Sequence, residues 1–133
     1  GVKACRMEAE RPGAAEDYER LIRATVPAGS SGMPQFDLVL LGMGADGHTA
    51  SLFPDTLALR EEECLVVLND VPQFATQRVT MTYPLINVAA RRWFLVKGAD
   101  KAPAYARIHA HGDVPAARVA EADWFVDPAV VGG

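Results

Sequence analysis

Apolar residues first fall into register at positions 14–25. There Ala14, Tyr18, Leu21 and Ile22 share one helical face, and Glu16, Asp17, Glu19, Arg20 and Arg23 point away from it, so the pattern predicts an amphipathic helix. Arg11-Pro12-Gly13 separates it from a weakly alternating stretch, 2–7, with the pattern of a short strand. Pro27 and the run Ala28-Gly29-Ser30-Ser31-Gly32 then end the helix in a loop. Positions 36–41 are almost continuously apolar, Asp37 excepted, which predicts a central parallel strand covered on both faces. After a glycine-rich turn, 48–52 has room for only a short helix before Pro54.

Farther along, 64–68 reads as a strand and 78–81 as an extended piece. Thr82 is placed to cap a helix from Tyr83 to about Arg91, with Pro84 in its first turn. A strand at 93–97 ends at Gly98, a helix over about 99–109 is closed by Gly112, and a strand at 124–126 feeds a helix with Asp127 as N-cap and Pro128 as N1. Strands alternating with helical patterns predict one α/β domain over 1–133, a mostly parallel, Rossmann-like sheet with helices on both faces.

Half of the 133 residues are hydrophobic, enough for one core and too few for two. The formal charge is -4 with Lys and Arg scattered, which offers no broad surface to nucleic acid or anionic lipid, though a few local cations suffice for one phosphate. Gly1-Val2-Lys3-Ala4 has no leader-like apolar run and no apolar stretch is long enough to span a bilayer, so a cytoplasmic location is expected. Cys5 and Cys64 lie far apart on segments that read as buried, the pattern of ordinary reduced thiols.

Gly42-Met43-Gly44-Ala45-Asp46-Gly47 satisfies G-x-G-x-x-G directly after a predicted strand, as a dinucleotide site requires. Pro54, however, cuts off the long crossover helix whose N-terminus should carry the pyrophosphate, and 55–63 is acid-rich and poorly amphipathic. What remains is a turn at the C-terminal end of a strand, the ligand-binding edge of open α/β sheets, presenting Asp46, His48 and Thr49. His48 can take and return a proton near neutral pH and Asp46 can fix its tautomer. A helix-capping aspartate beside an incidental histidine fits the spacing equally well.

The string Phe36-Asp37-Leu38-Val39-Leu40-Leu41-Gly42-Met43-Gly44-Ala45-Asp46-Gly47-His48-Thr49-Ala50-Ser51-Leu52-Phe53-Pro54 resembles the signature of the 6-phosphogluconolactonases. The resemblance continues through Arg78-Val79-Thr80-Met81-Thr82-Tyr83-Pro84-Leu85-Ile86-Asn87 and Leu95-Val96-Lys97-Gly98-Ala99-Asp100-Lys101-Ala102. It implies hydrolysis of 6-phosphoglucono-δ-lactone in the oxidative pentose phosphate pathway, with His48 as general base and Asp46 beside it. The implied substrate-binding set is Gly42, Gly44, Gly47 and Thr49, with Arg78 and Lys101 on the phosphate. No metal or other cofactor is called for. Glucosamine-6-phosphate deaminases share the fold but carry a glutamate where this chain has Phe53, which cannot relay a proton, so the deaminase is the weaker expectation. A non-catalytic sugar-phosphate sensor on the same fold would need a DNA-binding module, and no basic helix-turn-helix pattern occurs.

Family members also carry a Ser-Gly-Gly-Ser-Thr-Pro-like phosphate loop and an Asp-Glu-Arg segment in an N-terminal half. Neither occurs in this chain, so the resemblance implies the C-terminal part of a lactonase-like domain that needs the other half. Outside the motifs, His109 and His111 read as surface residues, Arg91 and Arg92 as a solvated helix end, and Trp93 and Trp124 as core.

Overall fold

The computed structural model describes residues 1–132. Helix α1 is Ala14–Thr25, as the periodicity predicts. It enters from Gly13 at φ 74°, carries Glu16 and Asp17 in its first turn where the helix dipole favours anions, and buries Ala14, Ala15 and Ile22. Strand β1 (Val39–Leu41) is followed by a hairpin of β2 (Val66–Val71) and β3 (Thr76–Met81), then helix α2 (Tyr83–Val88), strand β4 (Arg92–Val96), helix α3 (Ala102–His109) and strand β5 (Asp123–Val126). β1, β4 and β5 form a parallel sheet in the order β1-β4-β5, and β2 and β3 pair antiparallel as a separate ribbon. The expected α/β class with a parallel sheet is present.

One face of the sheet holds the main core. Val39 and Leu41 of β1 and Phe94 and Val96 of β4 pack with Leu52, Ile86 of α2, Ala104 of α3, Val119 and Val130. Phe94 is fully buried and stacks on Trp124 at 3.9 Å. A second cluster joins Ala15 and Ile22 of α1 to Leu65, Val66 and Leu85, so α1 packs on one face of the hairpin. Glu19 reinforces that contact by accepting the backbone N–H groups of Leu65 and Val66 at 2.7 and 3.1 Å.

The opposite sheet face is open. Leu40, Leu95 and Phe125 are 59%, 54% and 49% exposed, and Trp93 lies edge-on against Phe125. Among the described residues β1 is the outer strand of this sheet, and the face carrying Leu40 is bare. The apolar run reports burial that the described residues do not provide.

Several other expectations are corrected. Residues 2–7 form no strand; Tyr18 merely donates to the Cys5 carbonyl at 3.2 Å. Cys5 and Cys64 are both exposed, Cys64 because it precedes β2 instead of lying within it. Residues 48–52 make a tight turn, not a helix, with Ala50 at φ 50° and a Thr49–Leu52 bridge. Thr82 starts α2 without capping it, since its hydroxyl donates to the Cys64 and Leu65 carbonyls. α2 stops at Val88, and Arg92 is buried, its guanidinium donating to the Asn87 and Ala89 carbonyls that the helix end leaves free. Asp127 accepts the Val130 N–H, yet only a turn follows, with Gly132 at φ 76°. Trp93 lies on the open face; His109 is exposed, as expected, with its ring edge-on to Tyr105 of α3.

Candidate functional site

The turn after β1 is shaped by its glycines. Gly44 donates to the His48 carbonyl at 2.9 Å and Gly47 to the Gly44 carbonyl at 3.0 Å, closing the loop on itself. Gly47 has φ 82°, and a Cβ there would meet Val114 Cβ at 2.6 Å. A Cβ on Gly44 would lie 2.1 Å from two ring atoms of His48, so the imidazole sits directly over that residue's bare α-carbon. Gly42 is open, with nothing within 4 Å of such a Cβ. The Gly44 and Gly47 N–H groups are thus committed to the turn, while those of Gly42, Met43 and Ala45 enter none of these bonds.

Asp46 and His48 meet within this turn. Asp46 Oδ1 lies 2.6 Å from His48 Nδ1 and also accepts the His48 backbone N–H at 3.0 Å. Partial burial pushes the Asp46 carboxyl up, but the His48 backbone N–H, the ring bond and the attraction of the ring outweigh it and hold the group below its ordinary value. An ionised Asp46 accepts at Nδ1, which places the neutral ring's proton there and leaves Nε2 as the lone-pair nitrogen. The imidazole stacks on Phe53 at 4.2 Å, and Phe53 meets Phe74 of the hairpin tip edge-on at 5.5 Å. In the sequence Phe53 reads only as the absence of a glutamate. Its stacking role depends on a fold-back of the chain that no spacing rule reports.

Thr49 is fully buried and its hydroxyl donates to the Gly42 carbonyl at 2.8 Å, so it braces the turn. Arg78 is exposed on β3, opposite Asn69 and on the same face as Thr80, whose hydroxyl accepts the Ser51 N–H. That face of the hairpin therefore looks toward the segment after His48. Asp70, opposite Gln77, accepts that residue's side-chain amide at 2.7 Å. Lys101 ends a short turn of 3-10 helix, Ala99–Lys101, just before α3, and pairs with Asp100 at 2.9 Å. Its loop leaves β4 at the same sheet edge at which the 42–48 turn leaves the adjacent β1. The structure thus joins Asp46, His48 and Thr49 in one turn and puts Arg78 and Lys101 on flanking elements, neither bonded to the pair.

The pair thus forms an acid-oriented imidazole with Nε2 unbonded, on a glycine turn at the C-terminal edge of a parallel sheet. The family described as Glucosamine-6-phosphate isomerases/6-phosphogluconolactonase matches residues 2–126. The chain belongs to this family. It is 44% identical over 98 residues to a 6-phosphogluconolactonase of Chlamydia pneumoniae, covering 74% of this chain and 36% of the relative. Identity to the human 6-phosphogluconolactonase is 41% over 124 residues, covering 87% of this chain and 47% of that protein. The solved structure of a Trypanosoma brucei 6-phosphogluconolactonase superposes with a TM-score of 0.77 at 29% identity, over 98% of this chain and 56% of that one. The chain therefore spans between about a third and just over a half of its relatives' length. Among the described residues no helix is long and apolar enough to cross a membrane.

Proposed function

We propose that this chain carries the general-base half of a site that hydrolyses 6-phosphoglucono-δ-lactone, in the cytoplasm and within the oxidative pentose phosphate pathway. The observation that carries the reading is the Asp46–His48 pair with Nε2 left free on the turn. A lactone carbonyl is already electrophilic. Nε2 removes a proton from a water as its oxygen attacks that carbonyl, and Asp46 stabilises the imidazolium that forms. Unengaged N–H groups among Gly42, Met43 and Ala45 are the candidates to hold the developing oxyanion. When the tetrahedral adduct collapses, the ring C–O bond breaks and the imidazolium returns its proton to the departing oxygen, leaving an open-chain acid.

Arg78 and Lys101 are the cations assigned to the substrate phosphate. Lys101 shares a turn with Asp100, so an arriving phosphate competes for an ammonium already positioned by a carboxylate. Phe53 against the imidazole favours the lactonase over the isomerase activity of the family, because a phenyl ring cannot relay a proton. The uncovered sheet face and the length of the relatives support the need for the N-terminal half of the family domain, which would supply the rest of the phosphate cradle. No nucleic acid or membrane partner is part of this reading.

The test is lactone hydrolysis, corrected for the spontaneous reaction, by the chain alone and together with the N-terminal part of one of these relatives. Little or no activity is expected alone and restored turnover with the complement. In the complemented protein His48→Ala should lower turnover by about two to four orders of magnitude while substrate still binds. Unchanged turnover in that variant would remove His48 from the mechanism.

A further inference from the structure

Asn69 stands in β2 with its side chain out of solvent, the residue being 1% exposed, and all of its side-chain bonds go to the segment that follows His48. Nδ2 donates to the Ser51 carbonyl at 2.9 Å and to Thr56 Oγ1 at 3.0 Å, and Oδ1 accepts the Ala58 N–H at 3.3 Å. From β3, Thr80 accepts the Ser51 N–H at 3.0 Å, so the hairpin grips Ser51 at both its N–H and its carbonyl. Thr56 in turn donates to the Phe53 carbonyl at 2.7 Å. Ala50, just before the gripped stretch, and Asp55, within it, lie at φ 50° and 61° in the left-handed region, which costs a residue with a Cβ about 1–2 kcal/mol. Such a backbone persists where its surroundings over-determine it. What this clamped segment presents is Phe53, 5% exposed, flat against the imidazole.

We propose that Asn69 is a positioning residue for His48. By fixing the 51–58 segment it seats the Phe53 ring, and that ring and Asp46 hold the imidazole from its face and its edge, so Nε2 keeps one direction. An imidazole with a single side-chain hydrogen bond keeps a rocking freedom that only a surface against its face removes. The catalytic consequence rests on the lactonase reading; the geometric one does not.

Two readouts separate them. Proton NMR of the complemented protein reports whether the His48 ring protons are displaced upfield by the Phe53 ring. Lactone hydrolysis by the complemented protein reports turnover. Asn69→Ala and Phe53→Leu should each abolish the upfield displacement and lower kcat by about 100-fold, as a misplacement near 1 Å does, with KM retained. Because the two residues act by one route, the double variant should be no slower than the slower single variant. An unmoved His48 resonance in Asn69→Ala, or losses that multiply in the double variant, would overturn the proposal. If Asn69→Ala does not fold, Thr80→Val, which frees the Ser51 N–H from the other strand, is judged by the same two signals. Complemented parent protein that hydrolyses no lactone, but whose His48 signal still responds to Asn69→Ala, would strike the lactonase reading alone.

Discussion

Replacing Gly44 by alanine should separate catalysis from stability at this site. The new methyl would lie 2.1 Å from His48 Cε1 and Nδ1 and 2.8 Å from Asp46 Oδ1. Non-bonded carbon atoms settle about 3.5–4.0 Å apart, so the imidazole has to retreat by roughly 1 Å or more. The easiest retreat is a side-chain rotation that abandons the bond to Asp46. That side chain is 30% exposed, so beyond its contact with Phe53 the fold loses little more than one partly solvated hydrogen bond, about 0.5–1.5 kcal/mol. A misplacement of this size should cost about 100-fold in turnover, close to 2.7 kcal/mol of barrier. The assay is lactone hydrolysis by the complemented protein, with a thermal melt of the same sample. The other glycines are controls. Gly47→Ala faces both φ 82° and Val114, and should lose stability by at least about 1–2 kcal/mol, whereas Gly42→Ala meets open space and should melt like the parent. Gly44→Ala with parent turnover would show that the ring position seen here is not the reacting one.

Arg78→Ala and Lys101→Ala should each weaken binding of the phosphorylated substrate by about 1.5–3 kcal/mol, the worth of a charge-assisted contact, with kcat less affected. Parent affinity in both variants would place the phosphate elsewhere. Acid should destabilise the chain partly through Glu19: burial pushes its carboxyl up, but Arg23 and the Val66 and Leu65 N–H groups outweigh that and hold it below the ordinary value. A depressed folded pKa means that the unfolded chain takes the proton first. Glu19's contribution is therefore complete above about pH 4.3 and lost as pH falls through the lower folded value, and Glu19→Gln should flatten the acid limb of stability measured by urea melts. The bare sheet face should make the chain alone self-associate, and sedimentation of Leu95→Thr combined with Phe125→Thr should show a shift toward monomer; an already monomeric parent would contradict this.

Sequence alone was enough wherever the physics is local or repetitive. The 3.6-residue rhythm of 14–25 gave α1 to the residue, because the periodicity and the flanking Gly13 and Pro27 act within a few positions. The apolar run before the glycines marked β1, and the motif placed Asp46 and His48 two residues apart, close enough for chain geometry to bring them together. Tertiary structure decided what depends on distant partners. Residues 48–52 have a helix's composition but form a strained turn, since Thr80 and Asn69, far along the chain, take its backbone groups. Arg92 looks like a solvated charge and is buried, because α2 ends early and leaves carbonyls that only a long cation can reach. Phe53 reads as a missing glutamate, and only the fold-back that lays it on His48 makes it part of the site. The strand at 36–41 carries the pattern of a doubly covered strand, and its exposed Leu40 shows that hydrophobicity records a burial requirement without saying which chain segment meets it.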